Sequence, residues 1–295
     1  MVAHLTVGSK KIGVHQAIKW TVYTLLIVNF GFYFLEDWDR AMHSLREGAT
    51  LFEWTREFTT SIDELGWFAL LFMFELDTYA LSDKTLEGPV TYVIRGVRVI
   101  CYILLANTIV AYTTDVVELE NAPPVDEVSN LCDMASQDVS FVRNLEYSVV
   151  DENNCKELTA ERSLFWVEEG TVVSDAEGLA LETDLAWVDL FEAGVWLLIV
   201  FLIEFIVWLQ ERGITSGPLL SGSNYASTIL YVSLFGVAAY WGWLSHWLYV
   251  WDEMLWIGGF AAIEMNMSNW RHEIDEEREK TPPPCGSGAE PLGQR

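Results

Sequence analysis

The segment that decides the fold is Asp63-Glu-Leu-Gly-Trp67-Phe-Ala-Leu-Leu-Phe-Met-Phe-Glu75. It is an apolar run that begins with an acid, has a tryptophan four residues later and holds a glutamate eight residues further on. The same spacing recurs at Glu192-Ala-Gly-Val-Trp196 with Glu204, and again at Asp252-Glu-Met-Leu-Trp256 with Glu264. Because each copy lies in an apolar segment, the pattern predicts three related helices that cross a membrane.

The composition of the chain also indicates a membrane protein. About half of its 295 residues are hydrophobic, yet it carries 43 acidic residues against 17 basic ones. The apolar residues form long runs and the acids lie between them, which is typical of a polytopic helical membrane protein with acidic water-exposed parts. The negative charge argues against nucleic acid as a partner, since phosphates bind Lys and Arg. It favours cations, or solubility in a saline medium.

Six segments approach the length of about 20 apolar residues that crosses a bilayer. Lys and Arg in the short flanks favour a cytoplasmic location for both termini. The first apolar segment lacks a cleavage site and is interpreted as a retained span. We therefore predict a multi-pass protein of the inner membrane. The predicted spans are Ile18–Leu35, Leu65–Leu81, Val90–Tyr112, Val188–Leu209, Tyr225–Tyr249 and Met254–Trp270.

The repeated motif predicts an all-α integral membrane fold of three helical hairpins, related by a pseudo-three-fold axis. Asn29 in the first span and Asn107 in the third occupy matching positions within similar apolar runs. The predicted organisation has five parts: hairpin one plus outward helix three at 1–114, an amphipathic outer linker within it at 39–62, an acidic extracytoplasmic cap at 115–186, transmembrane helices four to six at 187–270, and a disordered cytoplasmic tail at 271–295.

The predicted cap is a small and strongly acidic insertion. It holds 7 Asp and 11 Glu against three basic residues. Cys132 and Cys155 are its two cysteines, so we predict that they form a disulfide outside the cytoplasm. The insertion is too short to be an independent enzyme domain.

The three glutamates of the motif are the candidate ion-handling or proton-handling residues, together with Asp77. Twelve residues of helix place Glu75, Glu204 and Glu264 about 18 Å below the acid that begins each motif. In a hydrocarbon core of about 30 Å, that depth lies slightly past the middle. A charged side chain there needs a partner, a proton or water. The acids that begin the motifs are predicted to lie at the outer ends of the helices.

Two basic residues in the third span are candidate partners for these acids. Arg98 lies about as far from the inner boundary as Glu75 does, so we predict an ion pair of Arg98 with Glu75 or Asp77. Arg95, one turn away, is the second candidate. Glu204 and Glu264 are then the residues most available for function.

Two functions from different classes fit these residues. The first is permeation of protons or small cations, by a channel or a transporter, with the bilayer as the surrounding medium. The second is a structural or accessory subunit, in which the acids hold helices together in a homo-oligomer or beside another membrane protein.

A membrane enzyme or redox carrier ranks lowest. The five His lack the spacing of a haem or zinc site, no Cys-x-x-Cys is present, and no cofactor is predicted. The identity of any metal is left open.

Overall fold

The computed structural model describes residues 4–7, 10–76, 89–126, 128–212, 214 and 216–260, and most of them are helical. Two strands form an antiparallel hairpin before the first helix. In chain order, the elements before the cap are β1 (His4–Val7), β2 (Lys10–Gly13), α1 (Val14–Ser44), α2 (Leu51–Glu57), α3 (Thr59–Glu75) and α4 (Pro89–Glu120). After the cap come α6 (Ala176–Glu211), α7 (Pro218–Trp243) and α8, which is helical over residues 247–260.

Two of these helices are long and apolar enough to cross a membrane. They are Tyr92–Glu120 within α4 and Ala176–Gln210 within α6, and they include nearly all of the third predicted span and the whole of the fourth. Their outward faces expose large apolar side chains, which proteins in water seldom expose in such numbers. These side chains include Val99, Ile100, Ile103, Val110, Leu198, Phe201 and Phe205.

The fifth predicted span ends earlier than its apolar composition indicates. The predicted span extends to Tyr249, but α7 ends at Trp243. The N–H of Ser245 donates to the carbonyl of Gly242, and the N–H of His246 donates to the carbonyl of Trp241. Ser245 has a φ of 71°, so these bonds form a left-handed helix stop of the kind that usually uses glycine. Residues 77–81 of the second predicted span and 261–270 of the sixth lie outside the described residues, as does the predicted tail.

The cap contains a sheet, so the prediction of an all-α fold is wrong for this part of the chain. Helices α4 and α6 extend into the predicted insertion from both sides and leave residues 121–175 between them. Four strands form a sheet in the order β4-β3-β6-β5, in which β3 and β6 are parallel and the other neighbours antiparallel. The elements are a 3-10 turn (Leu131–Met134), β3 (Ser140–Arg143), β4 (Glu146–Val149), α5 (Cys155–Leu158), β5 (Leu164–Glu168) and β6 (Val172–Asp175).

Local sequence explains why this insertion forms strands. Short runs of β-branched and aromatic residues alternate with turn residues, a pattern that favours strands over helices. Asn144 and Leu145 connect β3 to β4 with φ values of 57° and 60°, as in a two-residue hairpin turn. Leu131, Met134 and Phe141 lie in its buried core.

The linker at 39–62 is also different from the prediction of one amphipathic helix. Residues 39–44 complete α1, residues 51–57 form the seven-residue α2, and residues from 59 onward begin α3. Thr50 and Glu53 form a capping box that fixes the start of α2. Leu51 and Phe52 are 81% and 77% exposed, so α2 presents apolar side chains on its surface.

The predicted disulfide is confirmed, since Cys132 and Cys155 are bonded. The bond closes a loop across a sequence separation of 23 residues within the cap. We expect reduction to lower the free energy of unfolding of the cap by about 3 kcal/mol, because the unfolded chain regains the freedom of this loop. Urea titration of the protein in detergent, with and without reductant, measures this loss.

A Cys132→Ser and Cys155→Ser double variant should show the same loss and no further response to reductant. Cys101, a buried free cysteine on α4, supplies the control, because Cys101→Ser should leave the effect of reductant unchanged. Equal stability of the oxidised and reduced protein would contradict the expectation.

Candidate functional site

The three acids that begin the motifs line one cavity. Asp63 on α3, Glu192 on α6 and Asp252 on α8 all contribute to its wall, although they are far apart in sequence. The empty space of the cavity, including the part that is open to solvent, amounts to about 950 Å³. We call it the outer cavity. Its other acidic lining residues are Glu36, Asp37, Asp39, Glu64, Asp115 and Asp189.

The tryptophans of the three motifs meet beneath these acids. An acid and a tryptophan four residues apart lie on the same face of a helix, one turn from each other. The ring centroid of Trp67 lies 6.2 Å from that of Trp196 and 6.1 Å from that of Trp256. Phe260 packs 5.3 Å from Trp196, and all four rings are buried. The outer cavity therefore has an apolar aromatic floor.

Indole N–H groups tie the acids to this floor. Trp67 Nε1 donates to Asp63 at 2.9 Å, within its own motif. Trp256 Nε1 donates at 3.2 Å to Glu64, the residue beside the motif acid of another helix. The third bond comes from outside the motifs, since Trp241 Nε1 on α7 donates to Glu192 at 2.9 Å. These bonds hold the carboxyl groups in place and connect different helices.

The cap contributes to the wall of the outer cavity. Leu145 and Tyr147, from the β3–β4 hairpin, line it on this side. His43 near the end of α1 bonds the Ser140 hydroxyl at 2.8 Å and stacks on Tyr147. The Asn144 side chain donates to the carbonyl of Leu244 at 3.3 Å. The sheet is therefore held against the C-terminal ends of α1 and α7.

The charge of the outer cavity is strongly unbalanced. Among its described lining residues, nine are acidic and Arg40 is the single basic one. Arg40 binds Asp37 at 2.9 Å and lies 3.6 Å from Glu57, so its charge is already shared between two acids. Neighbouring carboxylates in a buried site repel each other, and protons or cations must offset part of this charge. The arrangement is therefore suited to taking up positive charge.

The predicted glutamates lie elsewhere, as far as they are described. Glu204 accepts a hydrogen bond from the Tyr102 hydroxyl at 2.8 Å and lies 3.9 Å from Arg98. Arg98 thus contacts Glu204 on a helix packed against its own, while its predicted pairing with Glu75 or Asp77 stays a prediction, because those side chains lie outside the described residues. Glu204 is therefore not the unpaired acid that the sequence analysis expected.

The remaining predicted site residues separate into two groups. Arg95 is exposed on α4 and does not line the outer cavity. The side chain of Glu75, together with Asp77 and Glu264, lies outside the described residues. The central ring of three glutamates therefore stays a prediction.

Several polar residues of the site were not among the predicted ones. Asn29 is fully buried and its Nδ2 donates to Asp252 at 2.5 Å, whereas Asn107, its counterpart in the sequence comparison, is exposed. The Tyr249 hydroxyl donates to Glu36 at 2.6 Å across 213 residues of sequence. The sequence signal for Asn29 was a lone amide in an apolar run. Glu64 had the signal of an acid next to a motif acid.

Arg56 connects the cap to the helices. It lies 2.8 Å from Asp115 at the outer end of α4 and 3.7 Å from Glu168 on β5, and it also binds Glu118. Burial raises the pKa of Glu168 from 4.5 to about 7, and the nearby Arg56 only partly offsets this effect. The cap is therefore joined to the helices through a carboxyl group that titrates near neutral pH.

This titration predicts a stability that falls as the pH rises. Folded Glu168 keeps its proton up to about pH 7, while the unfolded chain releases it near 4.5, so the stabilisation is complete below 4.5 and is lost between these values. Between these pH values, the contribution of Glu168 to the free energy of unfolding should change by on the order of 1 kcal/mol, after allowance for solvent screening. We expect Glu168→Gln to remove this change. Urea titration of the cap at pH 5.5 and 7.5 tests it. The exposed neighbour Glu169 supplies the control. If Glu169→Gln had the same effect, the pH dependence could not be assigned to Glu168.

Across the residues that the structure describes, no three His, Cys, Asp or Glu side chains are arranged to hold a metal ion together. No model of a protein family, no curated protein and no solved structure matches this chain. The function is therefore argued from the geometry of the site alone.

Proposed function

We propose that the protein carries protons or small cations across a membrane and that the outer cavity is their entrance. The observation that carries this proposal is the convergence of Asp63, Glu192 and Asp252 on one cavity with excess negative charge. Rings of acids in membrane proteins attract and select cations, and buried acids also pass protons. The acidic cap adds to the attraction, although salt screens it beyond about 8 to 10 Å.

The proposal includes the membrane topology predicted from the sequence. Six spans in three hairpins cross the inner membrane, both termini are cytoplasmic and the cap lies outside. The exposed apolar faces of α4 and α6 support contact with lipid, and the exposed side chains of α1 and α7 extend this surface. On these two helices they include Ile27, Phe32, Leu35, Ile229, Val232 and Phe235.

The proposed route passes the aromatic floor and reaches the inner polar residues. Trp67 packs against both Trp196 and Trp256, so passage requires these rings to move or a proton to be relayed around them. Beyond them, Glu204 with Tyr102 and Arg98 forms the next polar group. Glu75, Asp77 and Glu264 are the further acids that the motif assigns to this depth.

Reconstitution into liposomes tests the proposal. Wild-type protein should increase the flux of protons, of a monovalent cation or of a divalent cation above that of empty liposomes, and separate gradients identify which one. Glu204→Gln and Glu264→Gln should each lower the flux, because they remove acids from the proposed route. Wild-type flux that both variants leave unchanged would exclude these glutamates from the route.

A structural or accessory subunit is the second candidate, and specific bonds favour it. The acids of the site bind groups on other helices, as in Asn29 with Asp252 and Trp241 with Glu192. Such bonds can hold a bundle in register without any transport. The exposed Trp243 and Trp247 near the outer end of the bundle would then contact a second copy or another membrane protein. Absence of flux together with a co-purifying partner would favour this candidate.

A further inference from the structure

The inner wall of the outer cavity brings together four buried polar side chains from three helices. Asn29 and Tyr33 lie one turn apart on α1, Glu64 lies on α3 and Asp252 on α8. Asn29 is 0% exposed, Tyr33 6%, Glu64 5% and Asp252 8%. Tyr33, Glu64 and Asp252 line the cavity directly, and Asn29 joins them through its bond to Asp252. The group is therefore reachable from the cavity and shielded from bulk water.

Two oxygen atoms in this group have no hydrogen-bond partner among the residues that the structure describes. Asn29 uses its Nδ2 to bind Asp252, and its Oδ1 has no donor. Glu64 accepts from Trp256 through Oε1, while its Oε2 has no donor. A buried acceptor without a donor costs about 1–3 kcal/mol. Two such atoms beside an acidic cavity point to a ligand that supplies positive charge.

The charges in this group require the same kind of ligand. Glu64 and Asp252 are close enough to repel each other, and the other acids around them add to this repulsion. Among the described residues, no Lys or Arg forms an ion pair with either carboxyl group. The hydroxyl and indole donors nearby, from Tyr33 and Trp256, carry no charge to compensate them.

The available ligand atoms are all oxygens: two carboxylates, one amide carbonyl and one phenol hydroxyl. Oxygen ligands of this kind bind hard cations. Ca²⁺, for example, is coordinated by about six to eight oxygen atoms, and some of these can belong to water. The site has only two carboxylates, so water from the cavity would complete the coordination. Softer metals prefer nitrogen or sulfur ligands, which these four side chains lack.

We propose that Asn29, Glu64 and Asp252, with Tyr33 beside them, bind a partly dehydrated hard cation of the Ca²⁺ or Na⁺ type. The inference deepens the proposed function, on which it rests for its role as the binding step of passage. Binding itself does not require flux, so the two can be tested separately. Bound cation would satisfy both unpaired oxygens and offset the repulsion between Glu64 and Asp252.

Isothermal titration calorimetry of the full chain in detergent tests the site, with Ca²⁺ and Na⁺ added in separate titrations to protein in buffer free of metal cations. We expect saturable binding of one cation per chain in at least one of the two titrations, and the titration that responds identifies the cation. Glu64→Gln, which keeps an acceptor for Trp256, and Asn29→Leu should each weaken this binding at least about tenfold. The exposed Asp184 on α6 gives the matched control, and Asp184→Asn should bind as the wild type does.

Tryptophan fluorescence of the wild type gives a second test, which does not depend on whether the Glu64 and Asn29 variants fold. Because Trp256 donates to Glu64, cation binding should change the tryptophan fluorescence of the wild type, and this change should be lost in Trp256→Phe. Absence of saturable binding in the wild type overturns the proposal. So does an equal weakening by Glu64→Gln and Asp184→Asn, which would mean diffuse screening by surface charge. Flux without saturable binding would contradict the cation site but not the proposed function. Saturable binding without flux would contradict the proposed function but not the cation site.

Discussion

Replacing Glu192 by glutamine should lower the cation or proton flux of reconstituted protein by at least about tenfold, the lower end of the gain that charged clefts give. Glu192 lines the outer cavity and is the motif acid of α6. Glutamine keeps the size of the side chain and an acceptor for Trp241 Nε1, so the helix packing is retained while the charge is lost. The loss of flux would therefore come from weaker attraction of cations or from a missing proton acceptor.

The control for this result is an acid of the same helix that does not line the outer cavity. Asp184 is exposed two turns before Glu192, and Asp184→Asn should leave the flux within about twofold of wild type, because screened surface charge contributes little. The flux should also depend on salt, falling as ionic strength rises. If Glu192→Gln retained wild-type flux, the outer cavity would not be the entrance.

Replacing Asp175 by alanine should lower the free energy of unfolding of the cap by about 3 kcal/mol. Asp175 is fully buried at the end of β6 and caps the N-terminus of α6, where its Oδ1 accepts from the N–H of Gly178 at 2.8 Å. Its Oδ2 accepts from Arg143 and Thr159, both at 2.5 Å. Alanine would remove the cap of the helix and leave Arg143 without its main partner. Urea titration in detergent measures the loss.

Two further variants separate the parts of this effect. Asp175→Asn keeps a good capping residue and loses the charge, so it should cost less than alanine. Glu177→Ala removes an exposed acid that also faces Arg143 and should cost less than about 0.5 kcal/mol. An alanine variant as stable as the wild type would contradict the role of Asp175.

Asp175 should also make the stability of the cap depend on pH in the acidic range. Burial alone would raise the pKa of Asp175, but hydrogen bonds from Arg143, Thr159 and Gly178 lower it below the ordinary value of 3.8. Its contribution to stability is therefore present above pH 3.8 and is lost as the pH falls through the lower folded value. This sign is opposite to that of Glu168, whose contribution is lost as the pH rises.

The sequence motif predicted where the acids and tryptophans would lie along each helix, because four residues make about one turn. It did not predict that the tryptophans of three helices meet, since this depends on helix packing. It also did not identify the partners of the indoles. Trp256 binds Glu64 on another helix, and Asp252 binds Asn29. The motif alone would pair each tryptophan with its own acid, as occurs for Trp67.

Other differences have local causes that composition does not reveal. The end of α7 depends on Ser245 in a left-handed conformation that a serine seldom adopts, within a run otherwise apolar enough to continue. The strands of the cap were visible as short apolar runs between turn residues, but the parallel pairing of β3 with β6 joins residues about 30 positions apart in sequence. The contact of Arg98 with Glu204 depends on the packing of α4 against α6, which the order of the helices along the chain does not reveal.

Labelling of carboxyl groups with a water-soluble carbodiimide and an amine can show whether the motif acids share one cavity that takes up cations. Protein in liposomes is labelled from the cap side, with and without Ca²⁺ or Na⁺, and each site is quantified by mass spectrometry. We expect Asp63 and Glu192 to react in buffer free of metal cations and to be protected together by the cation, while Asp184 reacts equally in both. Unreactive Asp63 and Glu192, or reactivity that the cation changes no more than that of Asp184, would contradict it.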